Sequence, residues 1–315
     1  AIDRQVLARY RAAGTDWQSY FKMSRLPNFN THRRHKVQGQ TDILPQVVEK
    51  GEYLVSPEAE AYYTIALKKY GRQFDISWEA LVNDSMGAFA DIPQRFADAA
   101  INSMHRAATA TYSSAAGPNV LLYGAPITDI DGQTVTNLGS LPLTIANLET
   151  TLELMAAQTD VWGNPIIVRG VHLVVPPALE FTARQILTSS VKMWVDITGG
   201  VTATPYPTNN VVSQLGIQLH VDPWLPIVDQ TNYDNYTWYV FGEPSLGAAV
   251  EFAFLSGYED PEVCMKASDK VTVGGGSLSP FSGDFATDNV FYRVRHVFGT
   301  TQLDPRFTYA QVATS

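Results

Sequence analysis

The stretch "YGRQFDISWEALVNDSMGAFADIPQRFADAAINSMHRAATATYSSAAG", Tyr70–Gly117, constrains the fold more than any other part of the chain. An alternating, strand-like segment runs straight into two helix-like segments. Ser77 is placed to cap a short helix over "WEALVNDSM". Asp91 and Pro93 mark a second start, because proline is tolerated in a helix's first turn. From Pro93 to about Ala115 the spacing predicts one helix. Phe96, Ala100, Met104, Ala107 or Ala108, Thr111 and Ala115 fall on a single stripe. At 1.5 Å per residue such a helix spans roughly 35 Å. "AAGPN" stops it. Nothing on this rod or on the strand before it is arranged for catalysis.

The segments before the helix read as attachments to a larger body. Residues 37–76 predict a long β-hairpin, with a turn around Lys50 and Gly51 and β-formers in "AEAYYTIALKKYGRQFDI". An isolated two-stranded ribbon is marginal in water, so it must lie on something. Residues 1–36 read as an arm. Ile2, Val6, Leu7 and Tyr10 share a helical face, Gly14 breaks it, and "RLPNFNTHRRHK" is expected to be extended. This arm carries eight Lys and Arg against two acids, a net of +6 in a chain whose formal charge is −9. Between Met193 and Met265 there are nine acids and no Lys or Arg. A basic arm seeks an acidic surface or a polyanion. It lacks the aromatic interleaving of a single-strand nucleic-acid binder, so a neighbouring subunit's acidic surface is the favoured partner.

Residues 120–270 read as α+β. Asp131-Gly132 predicts a hairpin turn. "LTIANLETTLELMAAQT" predicts a helix with Ile145, Leu148, Leu152 and Met155 inward. "GVHLVV" predicts a buried strand, "PPALEFTARQIL" a proline-opened helix, and "LGIQLHV", "TWYVF" and "AAVEFAF" further strands. A Gly/Ser-rich connector leads to "NVFYRVRHVFG", which places Val290, Tyr292, Val294, His296 and Phe298 on one face. "LDPRFTYAQV" is expected to pair back against it, beside the long helix.

Signatures of chemistry are missing. His32, His35, His105, His172, His220 and His296 form no metal-ligand spacing, and His172 and His220 read as satisfied strand residues. The single Cys264 excludes an internal disulfide and a cysteine zinc site. Ser189-Ser190-Val191-Lys192 matches S-x-x-K without its companion motifs. Asp129-Ile130-Asp131-Gly132 lacks the downstream Glu of a calcium loop and reads as a turn. No apolar run is long enough to span a membrane, and "AIDRQVLARYRAAG" has no signal-peptide apolar region. The expectation is a protein that is not an enzyme, with no cofactor and no metal.

The order of parts resembles the major capsid protein of tailed bacteriophages, the Hong Kong phage-type fold. In detail it is similar to Mu-like head subunits. "YGRQFDISWEALVND" followed by "IPQRFADAAINSMHRA" looks like that family's passage from extended loop to spine helix. "GVHLVVPPALEFTARQIL" looks like the strand-proline-helix of its axial domain, and "VFYRVRHVFGTTQLDPRF" like its closing peripheral strands. The resemblance implies an N-terminal arm at 1–36 and an extended loop at 37–76. It implies a peripheral domain at 77–119 and 271–315 with spine helix 93–115, and an axial domain at 120–270. It implies self-assembly as hexamers and pentamers into an icosahedral shell around double-stranded DNA, which the chain would touch without sequence specificity. Portal and scaffolding proteins, and a decoration protein, are the implied partners. Assembly in the host cytoplasm is implied, and the finished place is the virion. Arg4, Arg9, Arg11, Arg25, Arg33, Arg34, Lys36, Lys50, Glu52, Tyr62, Lys68 and Arg72 are the candidate inter-subunit contacts. One subgroup cross-links a loop lysine to a neighbour's asparagine. Lys50, Lys68 and Lys69 lie in this ribbon without a matching Asn-Glu context, so no cross-link is expected. Three other readings stay open: an encapsulin-type nanocompartment shell, another virion or phage-assembly component, and a soluble enzyme with an unrecognised site.

Overall fold

The computed structural model describes residues 16–38, 59–83, 92–160, 162–194 and 206–313, together with positions 8, 46, 47 and 49. The turn expected at Lys50-Gly51 lies outside the described residues. Strands β1 (Lys22–Leu26), β2 (His32–Gln38), β3 (Ala59–Ile65) and β4 (Lys68–Ile76) precede the long helix. After it come β5 (Ser113–Ser114), β6 (Gly117–Pro118), β7 (Ile127–Thr128), β8 (Thr134–Val135), β9 (Leu138–Gly139) and β10 (Gly170–Val175). Then follow β11 (Val191–Trp194), β12 (Tyr206–Asn209), β13 (Gln218–Val221), β14 (Trp238–Gly242), β15 (Val250–Leu255), β16 (Glu262–Met265), β17 (Val290–Gln302) and β18 (Thr308–Gln311). The α-helices are α1 (Trp78–Val82), α2 (Ile92–Tyr112), α3 (Ile145–Ala156), α4 (Glu180–Thr188) and α5 (Leu225–Val228).

The local signals work as expected. Ser77 caps α1, its hydroxyl accepting the backbone N–H of Ala80. The long helix α2 buries Phe96, Ala97, Ala100, Met104, Ala108, Thr111 and Tyr112, nearly the expected stripe. It ends at Tyr112, three residues short of Ala115, and Ala115 is exposed. Thr144 caps α3, which buries Leu148 and Met155. In β17, Val290, Tyr292, Val294, His296 and Phe298 are all buried.

Two five-stranded sheets organise the body. In one, β17 lies centrally. It pairs with β15 and β16 on one side and with β4 along Val290–Phe298 on the other, and β1 adds to β15 in parallel. The other sheet runs β13-β10-β14-β18-β9. Three pairings differ from expectation. Strand β4 joins β17 rather than closing the ribbon. The ribbon starts earlier, at His32, and consists of β2 against β3 alone. Strand β18 pairs with β14 in the second sheet instead of returning against β17. Local pattern fixes which face of a strand is apolar, but not which distant strand completes its hydrogen bonds.

The root of the expected arm is also part of the body. Trp17, Tyr20 and Phe21 are each 2% exposed. They pack with Met104 and Tyr112 of α2, Phe252 and Phe298 of the first sheet, and Val174 and Phe241 of the second. This plug fills the seam where both sheets meet the long helix. A second core, around Leu148, Leu173, Trp238 and Tyr309, lies between the second sheet and helices α3 and α4.

Candidate functional site at the root of the ribbon

Strand alternation gives the ribbon two unlike faces. Arg34, Lys36, Tyr63 and Ile65 turn toward the body, and Arg33, His35, Tyr62 and Thr64 turn out. The kink between β3 and β4 depends on Gly299. A Cβ there would sit 2.3 Å from the Ala66 carbonyl oxygen, so only glycine lets β17 pass under the bend. Beside the kink, the Thr301 hydroxyl donates to the Thr64 carbonyl.

The inward face is fastened by charge. Arg34 meets Glu251 of β15 through two nitrogens, at 3.0 Å from Nε and 2.6 Å from Nη2. Glu251 is fully buried and also accepts from the Ser24 hydroxyl at 2.5 Å. This hydrogen bonding, with the carboxylate charge, holds the Arg34 guanidinium above its ordinary pKa against the cost of its own partial burial. Two residues on, Lys36 Nζ lies 2.7 Å from Asp129 Oδ2 and 2.9 Å from both Asp131 Oδ2 and Asp304 Oδ2. Arg306, 2% exposed, reaches the same three carboxylates at 3.3, 3.0 and 2.7 Å. Tyr63 donates to Asp129 Oδ1 at 2.7 Å.

The electrostatics follow from this packing. Burial pushes the Asp304 carboxyl up, Lys36 pulls it down, and the charges of Asp129 and Asp131 push it up again, leaving it at about 6. Burial alone would lower the Lys36 ammonium, but Asp304 and Asp129 outweigh it and raise its pKa. Lys36 therefore stays cationic and is no nucleophile for a covalent cross-link. Burial and the neighbouring carboxylates hold the Tyr63 proton in place, as a donor needs. The Asp129–Asp131 turn is the expected hairpin, with Gly132 at φ +80. Its carboxylates face two cations, so the chemistry here is fastening. Among the described residues no cluster of His, Cys, Asp and Glu could hold a metal, and no helix is long and apolar enough to cross a membrane.

The twelve candidate contacts separate accordingly. Arg4, Arg9, Arg11, Lys50 and Glu52 lie outside the described residues. Arg34 and Lys36 face their own body. Arg25, highly exposed, has Nε 3.1 Å from Glu259 Oε1. Arg33 stacks its guanidinium 4.4 Å over the Tyr62 ring on the outward face. Lys68 and Arg72 sit exposed on β4. Sequence reasoning missed Glu251, Asp129, Asp131, Asp304 and Arg306 as partners. The available signal was the two-residue spacing of Arg34 and Lys36 in a strand, which puts two cations on one face in need of acids.

A second polar cluster lies under the plug. His172 Nδ1 is 3.0 Å from His220 Nε2, and His220 Nδ1 is 2.9 Å from Asp16 Oδ1. Ser19 Oγ lies 3.5 Å from His220 Nε2. The order Ser, His, Asp resembles a hydrolase triad. Here His172 holds the same nitrogen at the shorter distance, so it is not poised to activate Ser19.

A family model for phage capsid proteins matches residues 61–311. No curated protein matches the sequence. Among solved structures, the chain is similar to the capsid of cyanophage P-SCSP1u, at 12% identity and TM-score 0.61, covering 96% of this chain and 89% of that one. It is similar to a chain of Microbacterium phage Oxtober96, at 10% identity and TM-score 0.56, covering 96% and 91%. It is also similar to the capsid of a native GTA particle, at 11% identity and TM-score 0.56, covering 96% and 92%. At these identities the likeness speaks for the fold.

Proposed function

The chain belongs to the phage capsid protein family, so it is a major capsid protein, a structural component of the virion, and we propose that it builds an icosahedral shell of hexamers and pentamers around double-stranded DNA. The family match across residues 61–311 is the observation that carries this reading. In the proposed division, the sheet centred on β17 with α2 is the peripheral domain, which takes β15 and β16 out of the span 120–270 expected to be axial. The sheet β13-β10-β14-β18-β9 with α3 and α4 is the axial domain, which takes β18 out of the span 271–315 expected to be peripheral. The β2–β3 ribbon is the extended loop. Its inward face is fastened to its own subunit, which leaves Arg33, His35 and Tyr62 to meet a neighbour. The exposed cations Lys68 and Arg72 on β4 add to that basic surface, and the acidic stretch beyond Met193 suits it by charge. Assembly in the host cytoplasm, with portal and scaffolding proteins, a decoration protein and non-specific DNA contact, belongs to the same proposal.

Electron microscopy of the particles isolated from their source, with nucleic acid read from the absorbance ratio, tests it. Uniform polyhedral shells holding DNA are expected. Shells holding protein cargo would move the reading to a nanocompartment, and small monodisperse particles would overturn it.

A further inference from the structure

Residues 267–289, between β16 and β17, keep their shape with polar groups of their own. The Ser268 hydroxyl donates to the Gly283 carbonyl at 2.8 Å, and Lys270 Nζ donates to that of Ser282 at 2.9 Å. The Phe285 N–H donates to Asp269 Oδ1 at 2.7 Å. Gly283 sits at φ +73, where an added Cβ would lie 2.4 Å from the Asp288 carbonyl oxygen, so the turn needs glycine. A loop fixed by polar bonds does not depend on burying its apolar side chains. Phe285 is 80% exposed, Phe281 is half-exposed, and Val271 and Val273 stand further out than Phe281. An ordered loop that holds four large apolar side chains in water marks a contact surface.

A matching hollow lies at the root of the ribbon. The ribbon and the segment 121–130 wall a groove of about 340 Å³, lined among others by Tyr62, Leu121, Ile127, Ile130, Leu303 and Pro305. Leu121 is 71% exposed. The loop of the same chain does not reach this groove. It is tied to the start of β17, where Asn289 Nδ2 donates to Asp75 Oδ2 at 2.8 Å. The groove takes in Thr301 and Gln302, at the far end of that strand. The 13 extended residues of β17 set the two roughly 40 Å apart. Charge also matches. Residues 267–289 carry three Asp against Lys270 alone. Asp284 accepts the Thr287 hydroxyl and the Thr287 and Asn289 N–H groups, all on Oδ1, so its Oδ2 is unengaged among the described residues. Arg33 stacks 4.4 Å over the ring of Tyr62 at the groove and has no ion pair among the described residues.

We propose that the Phe281–Phe285 segment of one copy seats in the ribbon-root groove of the next, with Asp284 meeting Arg33. The occupant is a second copy of this chain, so the contact rests on the shell reading. Loop and groove are different surfaces, so each copy offers its loop to one neighbour and its groove to another, the arrangement that closes into rings or propagates. The apolar seat supplies the affinity and the charge pair the orientation.

Cysteine pairing in assembled particles tests it, in a Cys264→Ser background. Phe285→Cys combined with Leu121→Cys is expected to give a ladder of disulfide-linked oligomers on a non-reducing gel, and each single variant only monomer. At roughly 40 Å the pair does not close within one chain. Phe285→Ser, an exposed change that spares the hydrogen bonds of the loop, is expected to raise the concentration needed for assembly about tenfold, with the unfolding midpoint unchanged. Arg33→Ala and Asp284→Asn each weaken assembly, and the double variant weakens it no further, since both remove one pair. Shells that form without a ladder, or from Phe285→Ser at the wild-type concentration, overturn the contact and leave the shell reading standing. Additive losses from Arg33→Ala and Asp284→Asn overturn the charge pairing. A wild-type chain that forms no shells overturns both readings.

Discussion

The ribbon and the plug are both N-terminal pieces fastened to the same body, by opposite means. The ribbon is held by a network of full charges, Lys36 and Arg306 against Asp129, Asp131 and Asp304, with Arg34 on Glu251 beside it. The plug is held by aromatic packing over a buried histidine pair. Asp304 in the network and His172 under the plug respond to acid with opposite signs. Asp304 has a folded pKa of about 6, raised from 3.8. A carboxyl raised in this way favours folding most below the unfolded value, and the contribution is lost as pH rises through about 6. His172 is lowered in the folded chain, so its contribution is present at neutral pH and fades as pH falls below 6.5. The contribution of Asp304 grows over the range in which that of His172 fades.

The largest test removes a cation from the network. Arg306→Met leaves three buried carboxylates facing Lys36 alone. Loss of one partner of a buried ion pair costs about 3–5 kcal/mol, because the remaining charges are stranded. Urea unfolding is expected to show a loss of that size or failure to fold. A change under 1 kcal/mol would mean that the network is solvated. Trp17→Ala strikes the other attachment, leaving a cavity where both sheets meet, with an expected cost of about 3–5 kcal/mol. The two variants separate by salt. Added salt weakens a charge network far more than apolar packing, so the Arg34 and Lys36 contacts carry the salt dependence and Trp17 does not.

Next in size is the pH slope itself. Asp304→Asn abolishes the loss of stability between about pH 4 and 6, which the shift to about 6 sets at roughly 3 kcal/mol. Comparing unfolding midpoints at pH 4.5 and 6.5 checks it. An unchanged slope in the variant would place that titration on another group.

What the sequence disclosed follows the same division. The long helix, the Asp131-Gly132 turn, the Ser77 cap and the alternation of β17 are set within a dozen neighbouring residues, and each was legible. Pairing was not. Lys36 meets Asp304 across 268 positions, and nothing near either residue names the other. Strand β4 follows β3 closely enough to extend the ribbon, yet it pairs with β17. The root of the arm reads as solvent-facing by its net charge, yet in "DWQSYF" Trp17, Tyr20 and Phe21 stand at the three- and four-residue spacing of one helical face. That spacing, in a basic segment, was the sign of a buried plug.

The smallest effect on folding carries the most about assembly. Arg33 and Tyr62 stack on the outward face of the ribbon, where an exposed cation–π pair contributes about 0.5–1 kcal/mol at most. Arg33→Ala is expected to leave the unfolding midpoint of the chain nearly unchanged, unlike Arg34→Ala one residue away, which strands the fully buried Glu251. If the outward face is the one that meets a neighbouring subunit, Arg33→Ala lowers the yield of shells in sedimentation while the chain remains folded. Arg34→Ala lowers both together. Equal shell yield from Arg33→Ala and wild type would mean that this stacked pair is not what a neighbour binds, and the exposed basic row of β4, Lys68 to Arg72, would take its place.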